Sequence, residues 1–269
     1  MTTTTTTPTV SPLKQLGALA RAEYLQFRRN RTLMVMGTLF PIGLPLMTYL
    51  IGRRQDVSGA ELGVTTIEMF AYMALLFVQY YSVLSLITTR RGEGVLKRLR
   101  TGEAADWQIK TAPAAPGVLL TLVGGVVVSA FVWGSGVPAP VNPVLLVLAL
   151  VGGLVVFSML ALLTAAYTKN AEAAQVTSLP VIVLATMGLA AIRGIVPERM
   201  ADYLDWTPFA AVSDLVSLGM SGEAATGGGA VLDFAGTFGE MGQPVVTLVA
   251  WTVIALVLTQ RSFRWDERG

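Results

Sequence analysis

The sequence predicts an all-α integral membrane protein of six transmembrane helices, preceded by an interfacial amphipathic elbow helix, with both termini cytoplasmic. Three observations predict it. Of 269 residues, 53% are hydrophobic and 13% charged, against roughly 45–50% apolar and a quarter charged in soluble domains. Six apolar runs approach the roughly 20 residues that a helix needs to cross a hydrocarbon core of about 30 Å. The basic residues alternate between loops, with 15 of the 19 Lys and Arg in segments that share a side with the N-terminus and 4 on the other. By the positive-inside rule, the richer side is the cytoplasm.

The order of elements follows from these signals. Residues 1–10, within the run MTTTTTTPTVSP, form a low-complexity threonine tract without a basic start or an apolar core. It reads as a disordered tail and not as a secretory signal peptide. Over 11–31, Leu13, Leu16, Ala20, Tyr24 and Phe27 fall in one arc at helical spacing, bordered by Lys14, Arg21 and Arg28. Apolar groups in such an arc sink into the membrane interface while the basic ends reach phosphates, which makes an interfacial helix. The transmembrane domain covers 32–260, with spans near 32–52, 66–89, 117–134, 144–167, 175–192 and 243–260. Pro41 and Pro45 in the first span and Pro180 in the fifth predict kinks, tolerated where neighbouring helices satisfy the freed carbonyls. The pairs Gly124–Gly125 and Gly152–Gly153 permit close helix packing. A tail, 261–269, returns to the cytoplasm.

Charge is concentrated in the cytoplasmic loop 90–116, above all in RRGEGVLKRLR, residues 90–100. There Val95, Leu96 and Leu99 share a helical face while Lys97, Arg98 and Arg100 point elsewhere, so a short amphipathic helix is predicted. Two readings stand for it: a helix lying on anionic headgroups, or one that docks on a protein. The outer loop, 193–242, holds seven acids (Glu198, Asp202, Asp205, Asp214, Glu223, Asp233, Glu240) against Arg193 and Arg199. Pro197 and Pro208 each suit a first helical position, Thr207 a cap and Gly219 a stop, which predicts two short helices. The acids read as the solvated face of a lid, the alternative being a selective cation-attracting vestibule, and SGEAATGGGAV as flexible linker.

Several classes of chemistry are excluded. The chain has no Cys and no His, which removes thiolate nucleophiles, disulfides, thiolate or imidazole metal sites and the commonest general base. It has no GxxxxGK[ST] phosphate loop; GGGAV at 227–231 carries no lysine. No catalytic or metal-binding residue is predicted, and no nucleic-acid partner. A membrane-embedded enzyme would need clustered acids or a metal site at the bilayer surface, and Asp202 and Asp205 at i, i+3 spacing do not make one. The rival reading is an ion-coupled secondary carrier without an ATPase partner. Such carriers keep ionisable groups at mid-span, whereas Glu68 lies near an outer end and Glu172 precedes the fifth span.

The chain resembles the permease subunit of type-2 ATP-binding cassette (ABC) exporters, which include bacterial drug and antibiotic exporters. The resemblance rests on the elbow helix, the six spans and the run Gly94-Val95-Leu96-Lys97-Arg98-Leu99-Arg100-Thr101, similar to that family's coupling helix. Where many members continue Thr-Pro-Leu, this chain has TGEAADWQIKTAPAAP. The outer run VPERMADYLDWTPFAAVSDLVSLG likewise looks like the family's proline-bearing short helices. The resemblance implies a multi-pass protein of the bacterial inner membrane that moves a hydrophobic or amphipathic small molecule or lipid outward. It implies a second permease half, as a homodimer or with a relative, and two copies of an ABC ATP-binding subunit that carry ATP and magnesium. Residues 94–100 would dock on that subunit, with Leu96 and Leu99 filling an apolar groove and the basic residues meeting acidic rim groups. Polar mid-span residues, Gln79, Tyr80, Ser82, Thr177 and Ser178, are candidates for a cargo pathway, the alternative being hydrogen bonding between helices.

Overall fold

The computed structural model describes residues 11–29, 31–102, 104–226, 230–263 and 265. The expected tail at 1–10 and the glycines 227–229 lie outside them. Every regular element among the described residues is helical. In chain order these are α1 (Pro12–Arg29), α2 (Arg31–Arg54), α3 (Gly59–Met73), a π-helical stretch (Ala74–Tyr80), α4 (Tyr81–Gly92), α5 (Val95–Arg100), α6 (Asp106–Thr111), a 3₁₀ turn (Ala112–Ala114), α7 (Ala115–Gly134), α8 (Pro143–Tyr167), α9 (Ala173–Thr177), α10 (Leu179–Met187), α11 (Ala190–Arg193), α12 (Glu198–Leu204), α13 (Pro208–Ser221), α14 (Thr237–Glu240) and α15 (Gly242–Ser262).

Among the described residues, four continuous helices can cross a membrane by length and composition: Gly59–Gly92, Asp106–Gly134, Pro143–Tyr167 and Thr237–Ser262. They coincide with the second, third, fourth and sixth expected spans. The first expected span is α2, 24 residues whose backbone stays helical through Pro41 and Pro45. The fifth is different. Its apolar helix runs from Ala173 to Met187, about 22 Å at 1.5 Å per residue, and breaks at Ser178, two residues before Pro180. A proline has no N–H to donate to the turn before it, which accounts for the break.

The shortfall is made up by α13. The expected lid of two solvated helices is instead one partly exposed helix, α12, and one buried helix. From Pro208 to Ser213 and from Leu215 to Met220 every residue of α13 is buried, and the helix packs against α3, α8, α10 and α15. It starts as expected, with Pro208 in the first turn and the Thr207 hydroxyl accepting from the Ala210 N–H at 3.3 Å. Its end is not Gly219, which lies inside the helix against Leu146; the helix runs on to Ser221 and stops at Gly222, where φ is 73°. Pro197 sits one residue outside α12 as its N-cap. The acidic count misleads here because helices in this region are chosen by the face they bury.

Buried backbone at this end finds partners within the fold, as a membrane core requires. Asn142, wholly buried, caps α8 through its Oδ1 from the Val144 N–H at 3.0 Å and donates to Thr237 Oγ1 at 2.9 Å. Its own N–H reaches the Gly219 carbonyl at 2.9 Å. The paired glycines work as predicted at Gly153, where an added Cβ would lie 2.4 Å from Leu75 Cδ1. Backbone also approaches backbone closely at Gly188, between α10 and α11. A Cβ there would sit 2.6 Å from the Ala210 nitrogen and 3.1 Å from the Phe209 carbonyl carbon. Main chain cannot swing aside as a side chain can. Gly188→Ala is therefore expected to push α13 from its seat and to cost about 1–3 kcal/mol, the scale of overpacking, read as a lowered unfolding temperature in detergent; an unchanged temperature would show that the contact is slack.

Candidate functional site

The basic residues converge on one end of the bundle, where α1, α5, α6 and the chain after α15 meet. Gly94 begins α5 with φ 68°, the left-handed region that a glycine enters without strain. This reverses the chain four residues after Arg90, and α5 follows over Val95–Arg100, as expected. The use of its side chains is not as expected. Leu96 is 0% exposed and belongs to the chain's own core, and Leu99 is half-buried against it. Burial of a leucine stabilises by about 1.5–3 kcal/mol, so Leu96 anchors α5 to the bundle and is not presented to a partner. Lys97, Arg98 and Arg100 remain exposed, and Trp107 on α6 is 48% exposed.

Two of the arginines that the charge run contributes are spent on the fold. Arg91, the penultimate residue of α4, is buried, and its Nη1 donates to the carbonyls of Ala165 at 2.8 Å and Thr168 at 3.0 Å. Those carbonyls end α8, where the helix dipole is negative, so a cation is favoured there. Arg90 forms a two-armed ion pair with Glu23 of α1, Nη1 to Oε1 and Nη2 to Oε2, with side-chain exposures of 11% and 7%. Its Nη2 also donates to Gln26 Oε1 at 3.2 Å. The other end of α1 is held by α6, where Gln108, wholly buried, donates from Nε2 to the Pro12 carbonyl at 2.6 Å and accepts the Ala105 N–H at 2.8 Å.

The elbow helix is thus a part of this junction. Leu16, Ala20 and Phe27 of the expected arc are half-buried, and Leu13 and Tyr24 are exposed. The most buried residue of α1 is Glu23, outside that arc. Lys14, Arg21 and Arg28 stay exposed. Periodicity of apolar residues could not find Glu23 or Gln108, because the signal for them is a polar residue placed on the packed face of an amphipathic helix.

Most of the polar mid-span residues are engaged in hydrogen bonds within the bundle. Gln79 and Tyr80 end the π-helical stretch and are wholly buried. Gln79 Nε2 donates to Ser158 Oγ at 2.7 Å, and the Tyr80 hydroxyl donates to Thr164 Oγ1 at 3.2 Å. Thr177 bonds Thr168 Oγ1 at 2.7 Å; Ser178 returns to the Gln175 carbonyl at 3.0 Å; Ser82 is half-buried. These bonds tie the second and fifth expected spans to α8. An apolar cavity of about 450 Å³ opens elsewhere, among α3, α7 and α8, lined by residues such as Phe70, Leu122, Trp133, Leu146 and Leu150.

At the opposite end, two of the seven outer-loop acids hold one cation. Arg193 is buried; Nη1 donates to Asp205 Oδ1 at 2.5 Å and Nη2 to Asp214 Oδ1 at 2.6 Å. Ser213 passes the network to α3, donating to Glu68 Oε1 at 2.6 Å, and the same oxygen accepts the Ala190 N–H at 2.8 Å. Burial raises the Asp214 carboxyl above its ordinary value; Arg193 opposes this, and the nearby Asp205 and Glu68 carboxylates add to it.

The family model described as ABC-2 type transporter matches residues 14–207. The match runs from the first turn of α1 through α12 to the start of α13, and so includes α1, α5 and α6 of the basic junction but not the chain after α15. No curated protein matches the chain.

Two outcomes are expected from this geometry. Glu23→Arg or Arg90→Glu alone leaves a buried, uncompensated charge, which costs about 3–5 kcal/mol. Each should free α1 for limited proteolysis, and the exchanged pair Glu23→Arg/Arg90→Glu should restore protection; failure of the exchange to restore would assign the loss to packing. For Asp214 the folded carboxyl titrates above the ordinary value near 3.9. Its protonated form is therefore favoured by folding, and its stabilising share is present at low pH and lost as pH rises through the raised value. Compared with Asp214→Asn, wild type should gain thermal stability as pH falls from neutral through that window; parallel curves would refute the assignment.

Proposed function

The chain belongs to the ABC-2 type transporter family, whose membrane component works with ATP-binding subunits, and on that premise we propose that it is the permease half of an ATP-driven exporter. Six spans are obtained when α2 and the α9–α10 segment are counted with the four long apolar helices. The basic bias of the loops then supports cytoplasmic termini in a bacterial inner membrane. Two copies, as a homodimer, would meet two ATP-binding subunits that hold ATP and magnesium. A hydrophobic or amphipathic small molecule or lipid, such as a drug, is the cargo favoured by the largely apolar lining of the cavity among α3, α7 and α8; the secondary-carrier reading has no charged mid-span residue in its support.

The observation that carries the reading is the division of labour in residues 90–100. Leu96, Arg90 and Arg91 fasten α5 into the bundle, while Lys97, Arg98 and Arg100 face outward. A lever needs both: a rigid attachment to the spans and a charged face for an acidic rim on the motor. Docking therefore runs through the basic face, and the apolar side of α5 serves the permease itself.

Pull-down of the tagged chain from its host in mild detergent tests this. Wild type is expected to recover a subunit bearing GxxxxGK[ST], and Lys97→Glu/Arg98→Glu to recover at least about tenfold less, as charge reversal across an interface predicts, with an unchanged unfolding temperature. Equal recovery would dismiss α5 as the docking element. No such subunit from wild type, together with transport by the chain alone in ion-loaded liposomes, would favour the carrier.

A further inference from the structure

The last long helix does not simply end at the basic face. At Phe263 the backbone turns extended, with φ −68° and ψ 125°, which carries Phe263 and Trp265 across the junction. Their rings meet edge to face, centroids 5.2 Å apart at 76°. Three cations from three elements lie over these two rings. The Arg91 guanidinium of α4 is 5.4 Å from the Phe263 centroid, and the Lys110 ammonium of α6 is 4.7 Å from Phe263 and 5.2 Å from Trp265. The Arg100 guanidinium, at the last residue of α5, is 4.9 Å from Trp265. Arg100 also pairs with Asp106 at 3.4 Å.

Three like charges drawn together would separate unless something between them is negative. The faces of aromatic rings supply that, and each ring here is shared by two cations. Burial pushes the Lys110 ammonium below its ordinary value; Asp106 opposes the shift and Arg100 adds to it. The element that gains most is α5. Six residues are far too few for a helix to persist alone in water, so its orientation depends on what grips its ends. Gly94 and Leu96 fix the beginning. At the end, Arg100 is held by Trp265 and Asp106.

We propose that Phe263 and Trp265 are positioning residues, a two-ring clamp by which the end of α15 holds the end of α5 in the pose that docks on the ATP-binding subunit. The clamp joins the last span to the docking helix, so the two are displaced together. The docking half of this inference rests on the function proposed above; the ordering of α5 does not.

Hydrogen–deuterium exchange on the full chain in nanodiscs of phosphatidylethanolamine and phosphatidylglycerol tests it. Phe263→Leu/Trp265→Leu keeps apolar bulk and removes both ring faces. Amides of residues 95–102 should exchange about tenfold faster, the scale set by the lost cation–π contacts, while peptides from α8 exchange as in wild type. Phe263→Tyr/Trp265→Phe, which keeps the faces, should restore the wild-type rate. The apparent Kd for the ATP-binding subunit should rise by the factor by which the ordered fraction falls. Exchange within about twofold of wild type in the leucine variant would overturn the clamp, as would equally fast exchange in the aromatic variant. If α8 peptides also accelerate, the single change Trp265→Leu decides by the same criterion. A wild-type chain that binds no ATP-binding subunit would defeat the docking reading and leave the exchange comparison to judge the clamp.

Discussion

The basic end of the bundle depends on the seating of Arg91 at the carbonyl end of α8. A guanidinium withdrawn from water needs both a negative field and acceptors, and the Ala165 and Thr168 carbonyls provide them at 2.8 and 3.0 Å. The alternative, a buried cation without acceptors, would cost more than the fold can bear. With Arg91 fixed, the preceding residue turns to α1 and the following glycines turn the chain into α5. The position of α5 is thus set by α8, a helix some 70 residues further along, and α1 is bound to the same corner through Glu23 and Gln108.

The opposite end obeys the same constraint with carboxylates in place of carbonyls. One buried arginine gathers Asp205 and Asp214, and Ser213 extends the network to Glu68. This joins α3, α11 and α13 in the region where the fifth helix falls short of the bilayer's width. The insertion of α13 and the shortness of α9–α10 are one arrangement. The α10 segment packs on α13, and Gly188 allows the backbones of the two segments to come within contact of each other.

Between the ends, hydroxyl and amide pairs join helices that are otherwise apolar. Ser158 and Thr164 of α8 accept from Gln79 and Tyr80, and Thr168, just after α8, bonds Thr177. The π-helical turn at Ala74–Tyr80 brings Gln79 and Tyr80 to that face. Force applied at α5 accordingly reaches α8 by two routes, through Arg91 and through the second span. The chain following α15 adds a third contact at the same corner.

Much of this was legible in the sequence. Composition, run length and basic bias determined an all-helical membrane protein with a basic loop between the second and third spans, because a bilayer tolerates so few alternatives that hydropathy alone selects helices. The local run GVLKRLR determined a short helix, because its period is a property of neighbouring residues. What tertiary structure decided was which face each helix buries. Leu96 was expected to meet a partner and instead meets the chain's own core; Asp205 and Asp214 were expected in solvent and instead hold Arg193; Glu23, Gln108, Phe263 and Trp265 carried no local signal. Each of these depends on a partner at least 12 residues away in the chain, and for most of them more than 60. A pattern read along the sequence reports only what lies within a few turns, whereas the exchange of solvent for a distant partner is settled when the helices pack.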